Sequence, residues 1–568
     1  MKTQYVNRIR LISIFVFLFA LLLVGRLYLL QVVQSDVYQD KAERQYSSTA
    51  RGIFSRGSIY FSNKDGSLVS AATLKSGSIV TINPQILKNP EDAFYKLSSV
   101  LPVKYDTFIA KASKKNDPYE EIAVRQTLEV GEEVDALKIT GLKAVKDRWR
   151  FYPGGKTAAH VIGMLGYKGD DYAGRYGLES QFDQNLERKN GAYTNFFAQI
   201  FQGIKSVNAT SSAEEADIIT TIEPTAQAYL EGVLASTTEK WSADLTGGII
   251  MDPNTGEIIA MEVYPTFDLN HPEEVEEALT FSNPLVENVY EMGSIIKPLT
   301  VAAGIDTGVI TASSTYYDSG SIWVSGKKIS NFDGKARGTA SIQDLLSQSL
   351  NVGAAYVEGL LGKKRFSEYM FAFGINKKTS IELPNEAKNL VDNLNTNIDV
   401  NFATASFGQG IALTPISTIR ALATIANGGI LIQPHLVKSV DYKLGFSKET
   451  KINGLPRVIT KQTSESMARL LTYSFDNVLS NGQYKIPNYS VAVKTGTAQV
   501  AKQNGRGYEE DKFLHSFVGY FPSYNPKFIV FLFIVNPRGA KYSSETLAEP
   551  FSGLTRFLIN YYEVPPDR

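Results

Sequence analysis

Apolar residues dominate the stretch from Leu11 to Gly25, broken only by Ser13, and after Arg26 a mainly apolar pattern resumes through Val33. Wound as a helix, residues 11–33 reach roughly 34 Å at about 1.5 Å per residue, enough to cross a bilayer. Lys2, Arg8 and Arg10 precede the run, so the positive-inside rule keeps the N-terminus cytosolic and exports the remainder of the chain. Arg26 falls where a long side chain snorkels toward the outer interface. The apolar run ends without a small-x-small cleavage site, which predicts an uncleaved anchor rather than a signal peptide.

Past the anchor the periodicity changes. Residues 35–55 read as a polar, partly helical stalk, and from Arg56 to Glu223 short β-rich runs alternate with turn residues. A Ser/Ala/Glu-rich linker lies near Ser206–Glu215, followed by a strand pattern at Asp217–Ile222 and a proline-opened helix at Pro224–Leu234. Two apolar runs, Gly248–Asp252 and Glu257–Met261, flank Pro253-Asn254-Thr255-Gly256 and predict a hairpin. Strand patterns return at Ser490–Val500, Ser516–Phe521 and Lys527–Val535, with a last helix at about Ser552 to Tyr562. Helical stretches fill the middle: Lys297–Asp306, Ile342–Leu361 and Pro415–Asn427. Strands, then helices, then strands predict an α+β fold, an antiparallel sheet flanked by helices. The domains expected are a tail (1–10), an anchor (11–33), a mixed α/β domain without catalytic motifs (34–222) and a chemistry-bearing domain (223–568).

Composition trims the possibilities. At 568 residues there is room for several cores. The 58 basic and 58 acidic residues cancel, so no electrostatic footprint for nucleic acid exists. The absence of cysteine excludes disulfides, metal thiolates and thiol catalysis. None of His160, His271, His435 and His515 falls in an H-E-x-x-H pattern. Gly155-Lys156-Thr157 mimics the end of a P-loop, but Arg150 stands at the required upstream glycine.

The chemistry lies in three ordered motifs: Ser294-x-x-Lys297, Ser349-x-Asn351 and Lys494-Thr495-Gly496-Thr497. Singly, the first two are weak, since Ser325/Lys328, Ser206/Asn208 and Ser523/Asn525 repeat their patterns. Three residues apart on a helix, Ser294 and Lys297 share a face, with Cβ atoms about 5–6 Å apart. Pro298 restricts this pair to the first helical turn, where free backbone N–H groups favour developing negative charge. A lysine base must be neutral although its ordinary pKa is about 10.4, so burial and a nearby cation such as Lys494 are expected to lower it. The Ser349 hydroxyl is placed to pass a proton, and Asn351 to bond a peptide. The third motif ends an apolar strand; on a sheet edge it offers an extended peptide a ladder, a charge and two hydroxyls. Gly496 is expected to clear the substrate's approach, and a strand N–H with that of Ser294 to form an oxyanion hole. The reaction these imply is acyl transfer through an ester on Ser294.

On these motifs the chain resembles the class B (monofunctional) penicillin-binding proteins, above all the division-specific septal type. The likeness extends to Gly25-Arg26-Leu27, Arg56-Gly57-Ser58-Ile59-Tyr60, Tyr152-Pro153, His160-Val161-Ile162-Gly163, Gly177-Leu178-Glu179, Asp252-Pro253-Asn254-Thr255-Gly256 and Phe407-Gly408-Gln409-Gly410. Met292 and Leu350 depart from the residues usual there. The resemblance implies an anchored protein with a non-catalytic pedestal and a penicillin-binding transpeptidase domain of serine β-lactamase-like fold. It implies cross-linking of peptidoglycan stem peptides ending in D-Ala-D-Ala, and acylation by β-lactams. By the same resemblance Ser294 is the nucleophile, Lys297 the base, Ser349 and Asn351 the proton network, and Lys494, Thr495, Gly496 and Thr497 the carboxylate clamp. It implies no cofactor or metal. The partners implied are a multi-span glycosyltransferase and other division proteins. Alternatives on the same residues are an elongation-specific enzyme, a D,D-carboxypeptidase or β-lactamase, and a non-catalytic penicillin sensor or scaffold.

Overall fold

The computed structural model describes Phe19 and residues 54–168, 171–188, 215–452, 455–501 and 507–568. The N-terminal tail, the anchor (apart from Phe19) and most of the stalk and linker lie outside these residues, and among the described residues no helix is long and apolar enough to cross a membrane. The chain divides into two compact units, one of residues 56–73, 150–188 and 207–568, the other containing residues 74–149.

In the larger unit a five-stranded antiparallel sheet runs in the order Ala492–Ala501, Tyr508–Phe521, Phe528–Val535, Leu245–Met251, Ile258–Tyr264. Phe528–Val535 is central, and its unbroken apolar sequence reflects burial on both faces. Val530, Leu532 and Ile534 meet one core with Leu230 and Leu234 of the Pro224–Trp241 helix and Phe551 and Leu554 of the Ser543–Tyr561 helix. Ile529, Phe531 and Phe533 face the other core, shared with Leu299, Ile416 and Ile419 of the Lys297–Asp306 and Pro415–Ala426 helices. The alternation is the period of two that a strand imposes. This is the expected sheet with helices on both faces, and it leaves Ala492–Ala501 as an outer strand.

Two expected elements are redrawn. The stretch Ile342–Leu361 is not continuous: helices cover Ile342–Ser347 and Asn351–Ala372, and Ser349 between them has φ +57°. Hydrophobic spacing carries no mark of a left-handed residue. The last helix begins at Ser543 rather than Ser552 and runs through Pro550.

The same unit holds a second sheet, in which Ala216–Thr220 lies between Ile59–Ser62, parallel, and Val437–Tyr442, antiparallel. Here the distant landmarks of the sequence meet. Glu179, wholly buried, accepts from Arg56 Nε at 2.6 Å and from Arg150 Nε at 2.5 Å. Arg56 also reaches Asp183. Removing the shared carboxylate leaves the buried Arg150 guanidinium without its counter-ion and Arg56 with Asp183 alone. Glu179→Ala is expected to destabilise the protein by about 3–5 kcal/mol, read as a lowered midpoint in chemical denaturation.

In the smaller unit, residues 78–82 pair with the Glu120–Gln126 strand. Helices Pro90–Ser98, Tyr105–Ala112 and Leu128–Ala136 enclose a core of Val80, Ile82, Leu97, Phe108, Val134 and Leu142. The proline and Asn89 side-chain cap at the first helix follow the ordinary start signals.

Candidate active site

Three segments far apart in sequence line one cleft of about 640 Å³, to which Ser294, Ser349, Asn351, Lys494, Thr495 and Thr497 all contribute. Ser294 occupies a tight 3-10 turn, Gly293–Ile296, immediately ahead of the Lys297–Asp306 helix. Gly293 has φ +60°, and a Cβ on it would lie 3.1 Å from the Thr497 carbonyl. The turn therefore packs directly on the outer strand. Ser516 Oγ fastens it by donating to the Met292 carbonyl at 3.0 Å, and Gly293 N donates to the Gly408 carbonyl at 3.3 Å.

Lys297 is fully buried. Its Nζ donates to the Ser349 carbonyl at 2.5 Å and to the Ser349 hydroxyl at 3.1 Å. Lys494 Nζ donates to the same hydroxyl at 3.0 Å and to the Thr495 carbonyl at 2.8 Å. One hydroxyl thus bridges two lysine amines. Burial, and then the charge of Lys494, holds Lys297 well below the usual lysine range; burial pushes Lys494 down to about 7. Both shifts follow from stripping water from an ammonium, which favours the neutral amine.

The spacing in the sequence brings the Lys297 amine within hydrogen-bond reach of the Ser294 hydroxyl. The structure directs it to Ser349, because the left-handed backbone there turns both carbonyl and hydroxyl toward Nζ. Ser294 Oγ bonds no protein group among the described residues and borders the cleft. Gly496 also serves differently from the expectation. A Cβ there would meet Ser516 Oγ at 2.3 Å and the Met292 carbonyl at 2.7 Å, so its missing side chain admits the nucleophile turn rather than a ligand. Asn351 starts its helix and donates to the Ser330 carbonyl at 2.9 Å, leaving its amide oxygen without a donor from the described residues.

Other groups in this architecture had no signal in the sequence. Asn331 accepts from Val352 N at 3.2 Å and donates to both Asp318 oxygens at 2.9 Å, bracing the helix start behind Ser349. Ser543 N donates to Thr497 Oγ1 at 3.2 Å, and Ser543 Oγ to the Ser516 carbonyl at 2.7 Å, so the last helix buttresses the outer strand. Starting that helix at Ser552 hid this contact. Of the decoy motifs, Ser325 lies in a hairpin loop and Ser523 accepts from Thr472; neither borders the cleft.

The bridging hydroxyl is separable from the fold. Glycine adopts the conformation of Ser349 without steric cost, so Ser349→Gly is expected to keep stability within about 1 kcal/mol of the parent. It should slow covalent capture of an acyl donor by roughly 10²-fold, the scale of one proton-transfer partner. Denaturation and acylation kinetics on the same preparation measure both.

Two family models match the chain: "Penicillin binding protein transpeptidase domain" over residues 246–553, and "Penicillin-binding Protein dimerisation domain" over residues 54–217. Stage V sporulation protein D of Bacillus subtilis is 28% identical over 557 residues, 96% of this chain and 84% of that protein. Peptidoglycan D,D-transpeptidase FtsI of Buchnera aphidicola is 25% identical over 574 residues, 100% of this chain and 97% of that one. Among solved structures, penicillin-binding protein 2X of Streptococcus thermophilus superposes with a TM-score of 0.73 at 22% identity, covering 89% of this chain and 79% of that chain. With the catalytic-domain model spanning more than half the chain and a dimerisation domain ahead of it, the chain belongs to the class B penicillin-binding proteins.

Proposed function

We propose that this protein is a serine D,D-transpeptidase that cross-links peptidoglycan stem peptides ending in D-Ala-D-Ala. One observation carries the reading: a single hydroxyl, Ser349 Oγ, held between two buried lysine amines beside the nucleophile turn. In the first half-reaction Ser294 Oγ attacks the carbonyl carbon of the penultimate D-Ala, and its proton passes to neutral Lys297. The carbonyl oxygen becomes an oxyanion that accepts from the backbone N–H groups of Ser294 and Thr497. Collapse breaks the C–N bond, and Lys297 returns the proton through Ser349 to the departing D-Ala nitrogen. The Lys494 ammonium and the Thr495 and Thr497 hydroxyls hold the terminal carboxylate, while the Asn351 amide oxygen takes an N–H of the donor stem. In the second half-reaction an amine of a neighbouring stem attacks the ester carbon and loses a proton to Lys297; the C–O bond to Ser294 breaks, and Lys297 returns that proton to Ser294 Oγ. A β-lactam is read as a donor whose leaving group stays tethered, so its acyl-enzyme persists.

Residues 11–33 are read as the anchor that holds the catalytic domain outside the cytoplasmic membrane, with the N-terminus inside. We read the role as septal wall synthesis rather than elongation from the resemblance to the division-specific type. A multi-span glycosyltransferase is the partner that would deliver new glycan. Incubating the purified protein with pentapeptide-bearing glycan and an acceptor amine tests the assignment. Cross-linked dimer with one D-Ala released per link is expected; free tetrapeptide without dimer would make it a carboxypeptidase.

A further inference from the structure

Glu291, three residues ahead of Ser294, takes no part in the chemistry above, yet it is held from two sides. Its Oε2 accepts from the Tyr508 hydroxyl at 2.9 Å, and its Oε1 accepts from Gly410 N at 3.1 Å. Both partners belong to segments that frame the cleft. Tyr508 opens the Tyr508–Phe521 strand and pairs with Ala501, past the irregularity at Gln499, at the far end of the hairpin that carries Lys494 to Thr497. Gly410 ends the loop whose Gly408 carbonyl already holds Gly293 N.

From these contacts we infer that the Glu291–Tyr508 pair is a positioning clip: it ties the distal end of the outer hairpin to the turn that presents Ser294, and so fixes the gap between the nucleophile and the Thr497 backbone. The inference rests on the acyl-transfer reading of the site. Among the described residues the turn and hairpin are otherwise joined near Thr497, by Ser516 to Met292 and by the packing of Gly293 on Thr497 and of Gly496 on the Met292 carbonyl. Without the clip the hairpin's far end is free to swing, and a reacting geometry that tolerates little displacement suffers first. Burial raises the Glu291 carboxyl above its usual range, with the Tyr508 hydroxyl and the Gly410 N–H opposing that shift. Those two bonds hold the carboxyl in place. Neither Glu291 nor Tyr508 borders the cleft, so neither is a catalytic residue.

Stopped-flow acylation by a fluorescent penicillin separates the limiting acylation rate from the binding constant. Tyr508→Phe removes one oxygen and keeps the ring. It is expected to lower the limiting rate about tenfold while leaving the binding constant and the melting temperature at parent values. Glu291→Gln keeps an acceptor for only one of its two donors and should fall between the parent and Glu291→Ala. Parent-like rates in folded Tyr508→Phe overturn the inference, as does a loss that scales with melting temperature across the three variants. A parent protein that is not acylated at all overturns the acyl-transfer reading beneath it, a distinguishable failure.

Discussion

Ser294→Ala is expected to abolish covalent labelling by fluorescent penicillin and to reduce D-Ala release by a factor on the order of 10⁶, the scale on which a serine acyl-transfer enzyme depends on its nucleophile. The hydroxyl is half-buried at the cleft and makes no bond to the described residues, so its removal strands no partner there. Stability should stay within about 0.5 kcal/mol of the parent, the range for positions without a structural role. Gel fluorescence on membranes, followed by peptide mapping of the parent, reads the result. Label on a peptide that lacks Ser294, or undiminished label in the variant, would refute the assignment of the nucleophile.

Lys297→Met should cost on the order of 10³–10⁴ in acylation rate, the upper range for a general base. Lys297→Arg should do no better, because a guanidinium stays protonated. In the parent, the rate should rise with pH as Lys297 loses its proton, with a midpoint well below the ordinary lysine value. That limb should vanish in the methionine variant. Stability provides an independent check of sign. A lysine whose folded pKa is depressed binds fewer protons folded than unfolded, between that value and about 10.4. Stability of the parent therefore climbs with pH across that window, and Lys297→Met should flatten the climb. Denaturation midpoints at several pH values test it; an unchanged slope argues against a neutral buried amine.

The sheet was readable in the sequence because its strands alternate or are wholly apolar, as at Phe528–Val535. The order, separations and local context of the motifs gathered Ser294, Lys297, Ser349, Asn351 and Lys494 to Thr497 for one reaction, and the structure places Ser294, Ser349, Asn351, Lys494, Thr495 and Thr497 on one cleft. What the sequence withheld is conformational. Nothing about Ser349 in an apolar helical context announces φ +57°, so the break between its flanking helices and the direction of the Lys297 amine were invisible. The role of Gly496 likewise depends on which neighbours fill its missing side chain, and those neighbours, Ser516 and Met292, come from other segments of the chain. Contacts such as Thr497 with Ser543 and Glu291 with Tyr508 join residues of no recognisable pattern, and only tertiary packing brings them together.

The Ser349 hydroxyl is bridged to lysines 52 residues before it and 145 residues after it. No local stretch can build that junction, and its loops must close before any of its bonds form. Drug capture is thus a conformation-sensitive stain: fragments released by proteolysis within residues 350–493 should stay dark, and during refolding fluorescence should appear only with the final cooperative phase.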